Sequence, residues 1–278
     1  MNIQIDRLPP LRKVFFTVHR TLSEALETTV RIQRKEIGLE CLLLNSFNLA
    51  ALFTRTWPVP QRFPAEPSPS AQFESLRRSL PPWTVIVCLS GLPRHPEEKT
   101  AYEEEALRDL AAVLNVRVGQ GLPGVAAADA LFRDEFLRPW GILRKFNFRG
   151  SVHDLTFKVP FEDVPVMDHT VKACSQAVGY PLMNLGMSMI PLERGRGMHC
   201  EFDLHCDPED TQDWTRTRTL WLKSSEELMK KGAFFDRPYG PWAPLVYNRA
   251  AVYSSKLRQI KKELDPHNIL NPGKLCFS

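Results

Sequence analysis

Two proline turns near the end of the chain limit how its C-terminus can fold. A predicted amphipathic helix over Ser255–Leu264 must end at Asp265, because Pro266 cannot continue a helix and disfavours helical geometry in the residue before it. The Asp265 carboxylate can accept hydrogen bonds from nearby amides in an Asx turn. A second turn is predicted at Pro272-Gly273, where glycine can adopt a positive φ. We therefore expect Lys274 to follow a rigid loop.

Strand and helix patterns alternate in two similar series along the chain. In the first series, the predicted strands are Arg12–Arg20, Leu39–Leu44 and Trp83–Ser90, and the main helices are Leu22–Ile37 and Pro96–Val113. In the second, the predicted strands are Leu155–Val159, Leu182–Pro191 and Met198–His205, and the helices are Val164–Val178 and Asp210–Lys231.

This order predicts an α+β fold. We expect ferredoxin-like repeats that form one mixed, mainly antiparallel sheet covered by helices on one face. The chain, 1–278, is predicted to be one unit with pseudo-repeats at about 10–118 and 151–231 and a C-terminal segment at 232–278.

The predicted strand Met198–His205 carries an unusual set of polar residues. Its alternation places four ionisable side chains on one face, namely His199, Glu201, Asp203 and His205. These side chains either face a pocket, where they could move a proton, or form a solvated face of paired groups. Neighbours on one strand face are about 7 Å apart, too far to share an ion easily, so we expect no metal.

Composition restricts the class of protein. The net charge is only +4 and the basic residues are scattered, which does not favour a nucleic-acid partner. The six cysteines are far apart in sequence, which favours reduced core thiols over zinc or disulfides. The sequence shows neither an apolar signal core nor an apolar stretch of membrane-spanning length. These features predict a cytoplasmic protein without a membrane partner.

The C-terminal run from Asp265 to Lys274 reads D-P-x-x-I-L-N-P-G-K. It resembles the C-terminal signature of the FAD-linked oxidases of the vanillyl-alcohol oxidase and p-cresol methylhydroxylase type. In that family an N-terminal domain holds FAD, and a C-terminal cap covers the flavin ring and shapes the substrate pocket. The resemblance implies that this chain is the cap, and that the FAD-gripping domain is absent from it.

The same resemblance implies roles for particular residues. His199 and Glu201 would lie near the flavin or substrate, and Arg237 near the flavin pyrimidine edge or a phenolate-like oxygen. Asp236 stands where the cresol and vanillyl-alcohol relatives have tyrosine, which argues against a phenolic substrate. The alternative for Arg237 is a salt bridge with Asp236 or Glu263 in the loop.

The resemblance also implies cofactor contacts at the end of the chain and on an early strand. Asn271, Gly273 and Lys274 belong to the C-terminal signature, and His153 is the candidate for covalent flavin attachment. The alternative for His153 is an ordinary core or surface histidine.

The glycine cluster Gly119–Gly124 superficially matches G-x-G-x-x-G. Pro123 interrupts the expected helix start, so we do not interpret this run as a phosphate-binding loop. The pyrophosphate of FAD is therefore expected on a separate FAD-binding subunit or on another part of a longer protein.

These features together predict a flavin-dependent oxidoreductase that oxidises an alcohol, phenolic or hydroxy-acid substrate by hydride transfer to FAD. The alternative is a non-catalytic partner subunit or an inactive remnant of a flavoprotein. Self-association into a homo-oligomer is a further expectation, because a surface that normally meets another domain is apolar.

Overall fold

Two series of strands and helices follow one another in the computed structural model, which describes residues 8–54, 71–91, 94–137 and 150–277. The first series contains β1 (Arg12–His19), α1 (Leu22–Arg34), β2 (Glu40–Asn45), α2 (Ser46–Phe53), α3 (Ala71–Ser79), β3 (Trp83–Ser90), α4 (Pro96–Val113), β4 (Val118–Gly119) and α5 (Ala128–Leu137). The second contains β5 (Ser151–Pro160), α6 (Val164–Ala177), β6 (Leu185–Leu192), β7 (Gly197–Cys206), α7 (Thr211–Lys230), α8 (Trp242–Tyr247) and α9 (Ala251–Leu264).

The strands form one antiparallel sheet with the order β4-β1-β3-β2-β6-β7-β5. The first series has the ferredoxin-like order 4-1-3-2. The second has the mirrored order 2-3-1, and Phe234 pairs with Lys158 at the outer edge of β5, where a fourth strand would lie. The predicted α+β fold with ferredoxin-like repeats in one mainly antiparallel sheet is confirmed.

The two series meet at a short junction. β2 and β6 share only two residue pairs, Leu43 with Met189 and Leu44 with Ser188. The side chain of Asn45 extends this junction. Its Nδ2 donates to the carbonyl of Leu185 at 2.8 Å, and its Oδ1 accepts from an amide of β6 at 3.1 Å.

Helices cover one face along the whole sheet, and the apolar face of β7 packs there. α1, α4, α6 and α7 contribute to this core together with Met198, Cys200, Phe202 and Leu204, none of which is exposed. The predicted alternation of β7 is therefore confirmed. A second apolar core lies on the other face of the first series, beneath α2, α3 and α5, so in this series helices cover both faces rather than the one face predicted.

Several chain segments differ in detail from the sequence prediction. α1 ends at Arg34 rather than Ile37, because Glu36 and Gly38 take positive φ values that a helix does not accommodate. Five of the six cysteines are buried, as expected for core thiols. In the part of the chain that the structure describes, no helix combines the length and apolarity that a bilayer crossing requires.

Candidate functional site

A surface pocket of about 590 Å³ opens beside the edge strand β5. Strand side chains form its floor, and the segment after α7 forms one wall together with two tryptophans. The lining residues are Asp154, Thr156, His199, Glu201, Trp221, Arg237, Tyr239, Gly240, Pro241 and Trp242.

Strand register produces the floor of this pocket. Thr156 lies opposite Glu201, and Lys158 lies opposite His199, on adjacent antiparallel strands. Directly opposed residues project to the same face of a sheet, so these four side chains lie together on the face away from α7. His199 and Glu201 are partly exposed there.

The tryptophan wall is held by hydrogen bonds. The indole rings of Trp221 and Trp242 lie 4.9 Å apart between centroids. Trp221 Nε1 donates to the carbonyl of Asp154 at 2.9 Å, and Trp242 Nε1 donates to Ser225 Oγ at 2.7 Å. Buried indole N–H groups require such acceptors, so the wall is a fixed surface.

Arg237 is exposed at the rim of the pocket. Within the described residues its guanidinium makes no hydrogen bond or ion pair. The alternative of a loop salt bridge is therefore wrong for both candidate partners. Asp236 pairs instead with Lys158 at 2.7 Å, and Glu263 accepts a hydrogen bond from the side-chain Nε2 of Gln259 at 3.2 Å.

His199 lies among four charged groups. Its partial burial lowers its pKa below the usual value, while Glu201 and Asp236 act to raise it and Lys158 and Arg237 act to lower it. The imidazole is therefore mainly neutral near pH 7, and a neutral imidazole can either accept or donate a proton.

Asp203 and His205 share the strand face of His199 but do not reach the pocket. Both are buried, at 2% and 0% exposure, under helix α2. Asn48 Nδ2 donates to Asp203 Oδ2 at 2.8 Å, and the Phe47 ring packs on His205 at 5.3 Å between centroids. The sequence predicted the common face correctly, but it gave no sign that α2 covers half of it.

The structure adds Asp154 to the ionisable groups of the site. Asp154 lies directly opposite Asp203, and the carboxylates of Asp154, Glu201 and Asp203 lie within 4.8 Å of one another. This spacing would allow one cation to contact all three, although close acidic groups are also common without an ion. No metal was expected, because the sequence shows spacing only along a single strand.

The C-terminal turn follows the sequence prediction closely. Asp265 accepts hydrogen bonds from the amides of Ile269 and Leu270, both at 2.8 Å, and pairs with Lys261. The hydrogen bond from Lys261 lowers the pKa of Asp265, and the two amides lower it further. Gly273 has φ +68°, as expected for the second turn.

A second groove, of about 740 Å³, lies between α9 and this turn. Asn271 and Lys274 line it, whereas Gly273 shapes the turn between them without lining the groove. Tyr239 and Gly240 line both this groove and the pocket that contains Arg237. Arg237 and Lys274 thus lie in adjoining cavities that share a wall.

The structure does not bring His153 to either cavity. Its ring packs near Trp214 and Trp221 of α7, at 6.3 and 6.0 Å between centroids, and burial lowers its pKa. Its position on the helix-covered face follows from strand alternation, since it is in phase with the buried Leu155 and Phe157. The placement favours a packed histidine over a flavin attachment site.

The glycine cluster forms a turn rather than a helix start. Val125 N donates to the carbonyl of Leu122 at 3.2 Å, and α5 begins only at Ala128. This geometry agrees with the interpretation that the run is not a phosphate-binding loop.

Residues 245–275 match the family described as "FAD linked oxidases, C-terminal domain". This match covers the last part of α8, all of α9 and the C-terminal turn. No curated protein matches the chain by sequence.

Solved structures with the same fold extend the comparison to nearly the whole chain. A p-cresol methylhydroxylase with substrate bound has a TM-score of 0.71 at 17% identity, over 97% of this chain and 53% of that one. A 4-ethylphenol oxidase from Gulosibacter chungangensis, in an isoeugenol complex, has a TM-score of 0.72 at 18% identity, over 99% and 55%. An alkyldihydroxyacetonephosphate synthase has a TM-score of 0.54 at 11% identity, over 96% and 45%.

The chain therefore spans about half the length of these solved proteins. At such low identity the likeness establishes the fold. Together with the match of residues 245–275, it supports the C-terminal domain of FAD-linked oxidases as the type of domain to which this chain corresponds.

Proposed function

We propose that this chain is the cap, or substrate-binding part, of a flavin-dependent oxidoreductase, and that a separate part or subunit holds most of the FAD. The observation that carries the proposal is the exposed guanidinium of Arg237, which has no ion-pair partner among the described residues and lies beside His199 and Glu201 in one pocket. The C-terminal family match and the shared fold support the same function.

The residues present fit the ring end of FAD. When bound, FAD accepts a hydride from a substrate carbon. Arg237 supplies a cation for the negative charge that would develop on the ring or on a substrate oxygen. Asn271 and Lys274 offer polar groups in the adjoining groove, and Gly273 sets the turn that presents them.

His199 and Glu201 are proposed to handle the substrate proton. A half-buried neutral imidazole can accept a proton from a substrate hydroxyl while the hydride leaves the adjacent carbon. Glu201 can then orient or stabilise the protonated ring. The substrate is a small alcohol, phenol or hydroxy acid. Asp236 offers no hydroxyl for a phenolate, and its carboxylate is already engaged by Lys158.

The experiment measures flavin binding and flavin reduction. The purified protein, with its FAD-holding part if that is a separate chain, is mixed with FAD and then with candidate alcohols, phenols and hydroxy acids without oxygen. Loss of the visible flavin absorbance reports reduction. Arg237→Ala should slow reduction about a hundredfold, the usual cost of removing a group that stabilises transition-state charge.

Arg34→Ala is the matched control, because Arg34 is an exposed arginine on α1 outside both cavities. Equal reduction rates for wild type and Arg237→Ala would refute the role of Arg237. A protein that stays colourless with FAD, even beside an FAD-holding partner, would favour the alternative of a non-catalytic subunit or remnant.

A further inference from the structure

The main chain of the segment that carries Arg237 pairs with β5 at Lys158. The amide of Lys158 donates to the carbonyl of Phe234, and the amide of Phe234 donates to the carbonyl of Lys158, both at 2.8 Å. The Lys158 Nζ also pairs with Asp236 Oδ2 at 2.7 Å. Main-chain and side-chain contacts thus hold the segment just before Arg237.

This arrangement affects which cation the Asp236 carboxylate pairs with. Asp236 precedes Arg237 in sequence, so its carboxylate is the nearest acidic group along the chain and would compete for the guanidinium. The Lys158 contact occupies that carboxylate. Its hydrogen bond is the largest influence that lowers the pKa of Asp236, which keeps the carboxylate ionised and paired.

We propose that Lys158 is a positioning residue that acts through Asp236. By holding the Asp236 carboxylate, it leaves the Arg237 guanidinium available for an anionic oxygen of the ligand. The significance of this device rests on the proposed function, in which Arg237 meets a flavin or substrate anion. The device itself can be tested without any substrate.

The ionisable groups around the Lys158–Asp236 ion pair and Arg237 lie on β5, on β7 and on the segment itself. They are His199 and Glu201 on β7, together with Lys158, Asp236 and Arg237. Among the described residues, Arg237 forms no ion pair with either of the first two groups. Removal of the Lys158 ammonium therefore leaves Asp236 as the carboxylate positioned by sequence to engage Arg237.

The test follows the rate at which phenylglyoxal, an arginine-specific reagent, modifies Arg237, measured by peptide mass spectrometry on the full chain. Lys158→Met should slow modification about two- to fivefold, the range expected when a guanidinium gains an exposed ion pair. The double variant Lys158→Met/Asp236→Asn should regain the wild-type rate, because the released Asp236 carboxylate is then absent. Lys158→Arg should keep the wild-type rate.

The matched control is Lys172→Met, which removes a 2.7 Å pair with Asp168 on α6 and should leave the Arg237 rate unchanged. A double variant as slow as Lys158→Met, or an unchanged or faster rate in Lys158→Met, would overturn the proposal. A faster rate in both Lys158→Met and the double variant would show that Lys158 only anchors the segment to β5. Thermal melts of each variant check that it is folded.

The two proposals fail in different ways. In the FAD-loaded complex, ligand should protect Arg237 of the wild type from phenylglyoxal. Loss of that protection would count against the proposed function, whereas the order of rates among the Lys158 and Asp236 variants would still decide the present inference.

Discussion

Gly186→Ala should destabilise the protein because neighbouring atoms already fill the space that a Cβ at this position would need. A Cβ on Gly186 would lie 2.3 Å from Asn48 Oδ1 and 3.0 Å from Asp203 Cβ. Asn48 cannot move away freely, because its Nδ2 donates to the buried Asp203 carboxylate at 2.8 Å. The substitution therefore both overpacks this site and breaks the hydrogen bond as the Asn48 amide is displaced.

The expected cost follows from these two terms. Overpacking costs about 1–3 kcal/mol, and loss of a hydrogen bond to a charged group costs about 1.5–3 kcal/mol. We expect Gly186→Ala to lower the free energy of unfolding by about 3–5 kcal/mol, measured by equilibrium urea denaturation. In the control Gly119→Ala, the added Cβ meets nothing within 4 Å. That change should stay within about 0.5 kcal/mol of wild type.

A double-mutant cycle tests the stated cause. Asn48→Ala removes the obstructing amide at a cost of about 1.5–3 kcal/mol, and Gly186→Ala in that background should cost less than about 1.5 kcal/mol more. The two changes should therefore be non-additive by about 2 kcal/mol. Costs that add to within about 0.5 kcal/mol would refute the reasoning, because they would show that Asn48 is not what Gly186 accommodates.

Three further changes test the junction, the tryptophan wall and the C-terminal turn. Asn45→Ala should lower the free energy of unfolding by about 2–3 kcal/mol in urea denaturation, because backbone groups at the junction lose their partners. Ser225→Ala removes the acceptor of a buried indole N–H and should cost about 1–2 kcal/mol, whereas Ser224→Ala, whose buried hydroxyl has no partner in the described chain, should cost nothing. The folded-state pKa of Asp265 is lowered, so its stabilisation is complete above about pH 4 and is lost as the pH falls through the lowered value. Amide exchange in the C-terminal turn should accelerate in acid for the wild type, and should be fast even at neutral pH for Asp265→Asn.

Features set by neighbouring residues are predictable from the sequence. The alternation of β7 predicted which side chains pack against the helices, because successive strand residues always point to opposite faces. The turn at Asp265 was predictable because proline and an Asx acceptor act within a few residues. The same alternation, applied to β5, would have placed His153 with the buried Leu155 and Phe157.

Other features of the site depend on contacts between distant segments. Asp154 joins Asp203 only through the register of β5 and β7, which no single-strand pattern reports. Helix α2 decides which part of the β7 face is buried. Its residue Asn48 contacts Asp203, which lies 155 residues later in the chain. The partner of Asp236 is Lys158 rather than its neighbour Arg237, and this choice requires the edge of β5 to be in place.

The sequence by itself determined the strand and helix phases, the C-terminal turn and the ionisable residues that one face of β7 presents. The tertiary structure alone decided that His199 and Glu201 reach the pocket while Asp203 and His205 are buried, that Arg237 has no ion-pair partner within the described segments, and that His153 lies elsewhere. The physical reason is that phase and turn geometry are set by neighbours along the chain, whereas burial and charge pairing are set by whichever segments the fold brings together.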